Sequence, residues 1–407
     1  MLDLALGLLL LAAACVGHVA WMALSLNNWH ARAFPRPFLR FVKKAHGVLV
    51  FSAPVVFFTL YGLGLPGTWD WPTHPGWLWL PNLYTLSCWI MAFLVVPFLT
   101  VRRLLRKRPA SVVKQGGQIV DVARELGHAP VGDDKHSFLA RLPYNQIFQV
   151  EFSEKTFRLP QLPGPWDGLK VLHLTDLHMC GTPDKQFFRY VMDRCNDWQP
   201  DIVAITGDIV DSHTHHRWIL PVLGRLRWRL GAFAILGNHD SWQGPEYTRR
   251  RLRRLGIHVL ENRSEQIDVR GQPLVVVGHE GPWFRPEPDL TRCPTGTFRL
   301  CLSHTPDNIV WARRHDIDLV LAGHNHGGQI RFPLIGSILV PSRYSRRYDC
   351  GTFHEGKTVM HVSRGLAGQH PIRLNCHPEA TLITLQAVPA PTASAADEEQ
   401  ALTASLP

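Results

Sequence analysis

A chain of 407 residues that is 45% apolar and 19% charged has material for one large or two medium domains with a real core, which excludes a wholly disordered or collagen-like polymer. Its net charge of +10 is unevenly placed, because residues 1–110 hold ten Lys/Arg against only Asp3 and Asp70 while the remainder is nearly neutral. A nucleic-acid binder would carry its basic footprint on the soluble part, so this distribution argues against that class. The eight cysteines are scattered, with no CxxC pair, in a chain too long to need disulfide staples, and they read as reduced thiols.

In chain order, three apolar stretches come first, at about 4–26, 46–65 and 83–101. Each approaches the ~20 residues that cross a ~30 Å hydrocarbon layer, so residues 1–110 are predicted to form a transmembrane region of three helices. Trp69, Trp71, Trp77, Trp79 and Tyr84 crowd the second connection, where amphipathic rings favour the membrane interface. The first connection carries Arg32, Arg36, Arg40, Lys43 and Lys44, the second carries no Lys or Arg, and the third span runs into Arg102, Arg103, Arg106, Lys107 and Arg108. The positive-inside rule then places the N-terminus outside and everything after residue 102 in the cytoplasm, as in a multi-pass protein of the inner (cytoplasmic) membrane. A cleaved signal ending near Ala14-Cys15 is the competing reading, but no basic segment precedes the apolar run and the run continues past Cys15. His18 and Pro54, isolated within the spans, read as packing residues rather than a transport path.

Residues 111–165 read as a juxtamembrane connector, polar and marked by Gly116-Gly117 and Asp133-Asp134-Lys135, with an alternating 148–152 segment that predicts an edge strand. From there, strand-like runs at 169–175, 202–206, 232–236, 274–277, 298–302 and 319–322 alternate with amphipathic segments at 184–198, 216–228, 246–255 and 307–313. That alternation predicts an α/β catalytic domain over 166–388. Residues 389–407 offer almost nothing to bury and are expected to form a disordered tail.

Five of the runs end in polar groups able to bind metal. Thr175 is followed by Asp176-Leu177-His178, Thr206 by Gly207-Asp208 and then Asp211, and Leu236 by Gly237-Asn238-His239-Asp240. Ser303 precedes His304, and Ala322 precedes Gly323-His324-Asn325-His326. In an open α/β sheet ligands sit beyond the carboxyl ends of the strands, so these groups should converge on one rim. Carboxylates, an amide oxygen and imidazoles without thiols suit Mn²⁺, Fe²⁺ or Zn²⁺. One carboxylate bridging two such ions ~3.5–4 Å apart would lower the pKa of a water and neutralise the attacking and leaving oxygens of a phosphoryl displacement. Singly, each motif would be turn chemistry; five in this order, each after an apolar run, point to a dinuclear site.

These same residues resemble the signature of the calcineurin-like metallophosphoesterases over about residues 169–385. The resemblance implies a β-sandwich flanked by helices (αββα) and a pair of divalent ions, with manganese expected first and iron or zinc as alternatives. It implies that Asp176, His178 and His326 hold one ion, that Asn238, His304 and His324 hold the other, and that Asp208 bridges them. His239 would face the scissile phosphate as general acid or transition-state donor, with Asp211 orienting its imidazole and Asp240 as the other candidate orienter.

Protein Ser/Thr phosphatases of this superfamily follow the second motif with Arg-Gly and end the third in Glu, whereas this chain has Ser212-His213 and Asp240. The segments 326–330 and 362–366 instead resemble membrane-associated bacterial phosphoesterases related to the UDP-2,3-diacylglucosamine hydrolases of lipid A synthesis. The expectation is a membrane-anchored phosphodiesterase or pyrophosphatase that meets a lipid-linked substrate such as UDP-2,3-diacylglucosamine at the bilayer, with no nucleic acid as partner. A nucleotide or nucleic-acid phosphodiesterase is the rival within enzymes, and a non-catalytic membrane scaffold the rival outside them. Two further basic features stay open: Arg249, Arg250, Arg251, Arg253 and Arg254 as an anion-binding or a solvated helix face, and Arg364 and Arg373 as phosphate partners or structural ion pairs.

Overall fold

The computed structural model describes residues 2–62 and 79–388; Trp69, Trp71, Trp77 and the tail predicted from 389 lie outside that range. Helices α1 (Leu2–His30), α2 (Arg36–Tyr61) and α3 (Leu80–Leu104) are each long and apolar enough to cross a membrane. Leu8, Phe51, Val55, Leu94 and Phe98 stay exposed on them, as they can where lipid tails are as apolar as the side chains. Between the helices, Ala14, Ala53, Phe57 and Cys88 interlock. His18 spends both ring nitrogens there, 2.7 Å from the Tyr84 hydroxyl and 3.2 Å from the Leu49 carbonyl. Helix α2 begins well before the predicted 46, because proline is tolerated in a first helical turn and Arg40, Lys43 and Lys44 suit a helix although they do not suit hydrocarbon.

Fifteen strands follow among the described residues. In chain order they are β1 (Val112–Asp121), β2 (Gln149–Leu159), β3 (Lys170–Leu174), β4 (Ile202–Thr206), β5 (Gly231–Ile235), β6 (His258–Val259), β7 (Ser264–Val269) and β8 (Gln272–His279). Then come β9 (Arg299–Ser303), β10 (Leu319–Ala322), β11 (Arg331–Phe332), β12 (Gly336–Ser337), β13 (Gly351–Glu355), β14 (Thr358–Val362) and β15 (Glu379–Ala387). A seven-stranded sheet has the order β1-β2-β15-β3-β4-β5-β6 and a six-stranded sheet the order β13-β14-β10-β9-β8-β7. Strands β3 to β6 are mutually parallel, as are β8, β9, β10 and β14.

The sheets form a sandwich flanked by helices. Val171, Ile202, Ala204, Phe233 and Ile235 of the larger sheet meet Leu274, Val276, Leu300, Leu302, Leu319 and Leu321 of the smaller. The alternate residues Leu172, Val203 and Ile205 face Phe187, Phe188, Val191 and Met192 of the helix Lys185–Asn196. On the far side, Val275, Val277, Cys301 and Val320 pack on Ile309 and Ala312. Burial on both faces is why these strands read as unbroken apolar runs rather than alternating ones, and each such side chain contributes roughly 1.5–3 kcal/mol by leaving water. The helix Lys185–Asn196 starts where Asp184 accepts the N–H groups of Gln186 and Phe187.

Residues 111–165, expected to be a connector, instead supply two strands of the larger sheet. Strand β2 runs to Leu159 and is not an edge: it lies between β1 and β15, pairing parallel with β15 so that Phe152 sits beside Ala380. Its partner is more than 200 positions away, so no local pattern could disclose the pairing. The helix predicted over 216–228 is a 3₁₀ turn, His213–Trp218, and a single α-turn, Ile219–Leu223, that stops at Gly224.

A polar chain crosses the sandwich core. Lys155 donates to Glu379 at 2.6 Å and to His361 Nε2 at 2.9 Å. The His361 proton therefore sits on Nδ1, which donates to His173 Nδ1 at 3.0 Å, and His173 Nε2–H donates to the Thr206 hydroxyl at 2.9 Å. The membrane helices are latched to the smaller-sheet side. Asn27 of α1 accepts the Val340 N–H at 2.8 Å and donates to the Ile338 carbonyl and to Ser345 Oγ, while Arg106 donates to the Thr352 carbonyl.

Candidate metal centre

All the polar motifs emerge from carboxyl ends of parallel strands. Asp176 and His178 follow β3, Asp208 follows β4, Asn238 and His239 follow β5, His304 follows β9, and His324 and His326 follow β10. The two sheets aim these ends at one edge of the sandwich. The loops are stitched together there: Asp176 N–H donates to the Gly207 carbonyl at 3.0 Å and His178 N–H to the Asp208 carbonyl at 2.9 Å. His239 N–H donates to Asp208 Oδ1 at 2.8 Å, and His324 N–H to Asp176 Oδ2 at 3.0 Å.

Asp176, His178, Asp208, His324 and His326 all have φ between 43° and 68°, a left-handed conformation that L-residues rarely adopt. At about 1–3 kcal/mol each, five such residues persist only because the surrounding sandwich over-determines them, and such strain collects at functional sites. Gly323 serves a different need: a Cβ there would run into Thr175 Oγ1 and Asp176 Oδ2, so only glycine lets the β10 loop close on the β3 loop.

The donor atoms fall into two groups that share Asp208. Asp176, His178, Asp208 and His326 offer ligand atoms within 4.8 Å of one another, and so do Asp208, His304 and His324. Asn238 joins the second group with its Oδ1 3.0 Å from His304 Nε2. The ring orientations suit a cation. His326 Nδ1–H donates to the Ala367 carbonyl and His178 Nδ1–H to Asp211, which turns the two Nε2 atoms toward each other at 3.2 Å. His304 Nδ1–H donates to the Thr206 carbonyl, which turns its Nε2 toward Asp208 Oδ2 at 3.3 Å. His324 Nε2 is buried without a hydrogen-bond partner among the described residues. With the Nε2 protons of His178 and His304 displaced, these nitrogens and the carboxylate oxygens would present lone pairs to a shared cation.

The electrostatics agree. Burial would raise the carboxyls of Asp176 and Asp211, but the neighbouring imidazoles outweigh it and hold both below the usual carboxylate range, and Asp208 is held lower in the same way. Three buried carboxylates thus stay ionised together. Burial disfavours the His304 imidazolium, yet Asp208 overrides it and pushes the group up to about 9, whereas burial and the adjoining imidazoles pull His326 down to about 3. A divalent ion would compete with the proton for the His304 lone pair, so binding would release protons.

Asp211 lies beside this set. Its Oδ1 is 3.0 Å from His178 Nδ1 and 2.5 Å from His239 Nδ1, so one carboxylate orients the His178 and His239 imidazoles together. Asp240, the other candidate orienter, points away and accepts main-chain N–H groups of Ile209, Val210 and Gly237. Arg364 is taken up by Glu379 and Glu151, and Arg373 by the carbonyls of His326 and Ala367, so neither faces the donor set. Arg249 pairs with Glu246 and Glu280, which makes that part of the arginine run a structural element.

Two aromatic residues at the site escaped the sequence reading. Trp283 lies 4.8 Å from the His324 ring and 5.4 Å from His304, and Trp242 lies 5.0 Å from His239. Trp242 follows His239 by three residues on a helical turn, a spacing that puts both on one face. Trp283 sits in a loop and carries no comparable signal.

Comparison with known proteins agrees with this geometry. The profile of the calcineurin-like phosphoesterases matches residues 169–328. The chain is 31% identical over 221 residues to the phosphodiesterase YaeI of Escherichia coli, covering 53% of this chain and 82% of that protein. It is 29% identical over 252 residues to the uncharacterized metallophosphoesterase YkuE of Bacillus subtilis, covering 60% of this chain and 88% of the relative. A transmembrane protein with metallophosphoesterase domain from Danio rerio is 29% identical over 251 residues, covering 56% of this chain and 55% of its own.

Proposed function

Since this chain belongs to the calcineurin-like metallophosphoesterases and is a metal-dependent phosphoester hydrolase, we propose that it acts at a bilayer surface on an amphipathic phosphodiester or pyrophosphate. The observation that carries this reading is the donor set itself: two groups of oxygen and imidazole donors sharing Asp208, with Arg36 at the start of the second membrane-length helix over Trp242, which packs on His239. Asp176, His178 and His326 would hold one divalent ion and Asn238, His304 and His324 the other, with manganese the first choice for both. Bound there, the pair supplies Lewis acidity and neutralises charge on the phosphoryl oxygens.

The remaining chemistry belongs to His239. Asp211 accepts its Nδ1–H and stabilises the imidazolium, whose Nε2–H passes its proton to the leaving oxygen and leaves the ring as the neutral Nδ1–H tautomer. The His239 side chain keeps 15% exposure, enough to meet a substrate at the rim. The Lys/Arg content of the first connection and of residues 102–108 supports an inner-membrane anchor over 1–110 with the catalytic region on the cytoplasmic face. A domain held at the bilayer meets lipid substrates at high effective concentration, and UDP-2,3-diacylglucosamine is the first substrate to assay.

The test is hydrolysis of bis(p-nitrophenyl) phosphate by the purified full chain with Mn²⁺. Asp208→Ala should lower turnover by about a thousand-fold and remove bound metal, and undiminished turnover in that variant would refute the site. Parallel assays with cyclic nucleotides, single-stranded DNA and UDP-2,3-diacylglucosamine then assign the substrate class.

A further inference from the structure

The hairpin formed by β11 and β12 belongs to neither sheet of the sandwich. Residues 332–341 hold no charged group, and Phe332, Leu334, Ile335 and Leu339 are exposed there, Leu334 at 72%. Leu334 also has φ of 63°, the left-handed conformation that turns usually give to glycine or asparagine. A strained leucine at an exposed tip, inside a run of uncovered apolar side chains, marks a contact surface rather than a packing element.

Contacts with the membrane helices fix the level of this hairpin. The Arg103 guanidinium, in the last turn of α3, occupies the place a Cβ on Gly336 would take. Asn27, in the last turn of α1, donates to the Ile338 carbonyl at 3.1 Å and accepts the Val340 N–H at 2.8 Å. Val101, Leu104 and Leu105 are exposed on either side of Arg103, so the open apolar surface of α3 runs down to the hairpin without a break. Trp29, two residues past Asn27, packs on Phe34 and Phe38 with ring centres 5.3 Å and 5.5 Å away. Tryptophan rings favour the boundary between hydrocarbon and water. The span precedes Asn27, so Asn27 grips the hairpin on the hydrocarbon side of that boundary.

We infer that the hairpin is a membrane contact of the catalytic region itself, with Phe332, Leu334, Ile335 and Leu339 seated in the headgroup and acyl boundary of the leaflet that holds the ends of α1 and α3. Arg102, beside Arg103, and Arg343, four residues past Leu339, are exposed cations that suit anionic headgroups there. A second copy of the chain is the poorer occupant, because at the level of Leu104 and Leu105 the tip already stands among lipid. Strand β11 begins five residues after His326, so a seated hairpin sets the metal centre against the leaflet instead of letting it swing above on a tether. The inference rests on the reading of residues 1–110 as a membrane anchor and deepens it.

Photolabelling of the full chain, reconstituted in vesicles of phosphatidylcholine and phosphatidylglycerol, tests this. One probe is a phosphatidylcholine with a diazirine in its acyl chain, the other a water-soluble diazirine, and mass spectrometry localises the adducts by residue. Two exposed leucines calibrate the reading: Leu94 in the middle of α3, and Leu230 at the amino end of β5, on the edge of the sandwich opposite the metal centre. The lipid probe should mark residues 332–339 at least about ten-fold more than Leu230, and the aqueous probe should show the reverse order. Labelling of 332–339 by the aqueous probe alone overturns the inference. Protection of 332–339 from both probes also overturns it, and is the result if a second copy of the chain covers the tip. Lipid adducts at Leu94 without any at 332–339 remove the hairpin contact and leave the anchor standing, whereas their absence at Leu94 removes the anchor and the inference with it.

Discussion

The carboxylate of Asp240 accepts the main-chain N–H of Ile209 at 3.1 Å, although its neighbour His239 faces the opposite way. The same carboxylate accepts the N–H groups of Val210 at 3.2 Å and Gly237 at 3.0 Å, so one side chain fastens the β4 loop to the β5 loop. Burial and the charge of Asp208 push Asp240 up to about 7, against the pull of those backbone donors. Asp240→Ala strands three buried N–H groups and should destabilise the chain by about 3 kcal/mol or more, whereas Asp240→Asn keeps an acceptor and should cost less. Thermal unfolding of the detergent-solubilised chain measures both, and coincident midpoints for the two variants would contradict the role.

Asp211 predicts a different phenotype from its position between two imidazoles. Asp211→Ala frees the rings of His178 and His239 at once, so turnover should fall at least about 100-fold. Metal affinity should weaken about 10- to 100-fold, because a partner that orients a ligating imidazole is removed. Steady-state kinetics at saturating Mn²⁺ and direct metal analysis separate the two effects.

Gly323→Ala tests the close approach of the β10 and β3 loops. The added methyl would press on Asp176 Oδ2 and Thr175 Oγ1, moving a proposed metal ligand while leaving the sheets in place. Metal content measured after gel filtration should drop with about a 10- to 100-fold loss of affinity, and far-UV circular dichroism should be unchanged.

The polar chain in the sandwich predicts acid sensitivity. Burial, opposed by Glu379 and assisted by Lys155, pulls His173 down to about 3, and burial with Lys155 pulls His361 well below its ordinary value. Between pH 3 and the ordinary value of 6.5 the unfolded chain therefore binds more protons than the folded one, so stability rises with pH across that window and is lost on acidification. Each of these two histidines contributes up to about 1.4 kcal/mol per pH unit, so His361→Gln should reduce the loss of stability of metal-stripped protein between pH 6.5 and pH 5 by roughly 1.5 kcal/mol in denaturant unfolding, and an unchanged slope in that variant would exclude the mechanism.

Much of this architecture was legible because parallel strands buried on both faces leave unbroken apolar runs: 202–206 and 319–322 have the predicted bounds. The convergence of the candidate donor groups was legible for a related reason, since groups that must face a cavity beyond strand ends stand immediately after those runs. What stayed hidden depends on distance through space. Strand β15 finds β2 across more than 200 residues, and nothing local in residues 111–165 declares that contact. The choice between Asp211 and Asp240 was closed to sequence because adjacency to His239 along a helical turn sends the Asp240 side chain elsewhere. Trp283 and the hydrogen bonds of Asn27 arise from loops whose conformation no periodicity encodes.

The Asn27 latch carries a mechanical consequence. Its amide holds Ile338, Val340 and Ser345, and three residues beyond Ser345 the carbonyl of Tyr348 accepts Asn325 Nδ2 at 2.7 Å. Asn325 stands between His324 and His326, so a short relay joins the foot of a membrane helix to the imidazole ligands. Helices answer a thicker or thinner bilayer by tilting. With α1 fastened in this way, a change in its tilt would be carried along those bonds to the backbone that bears His324 and His326.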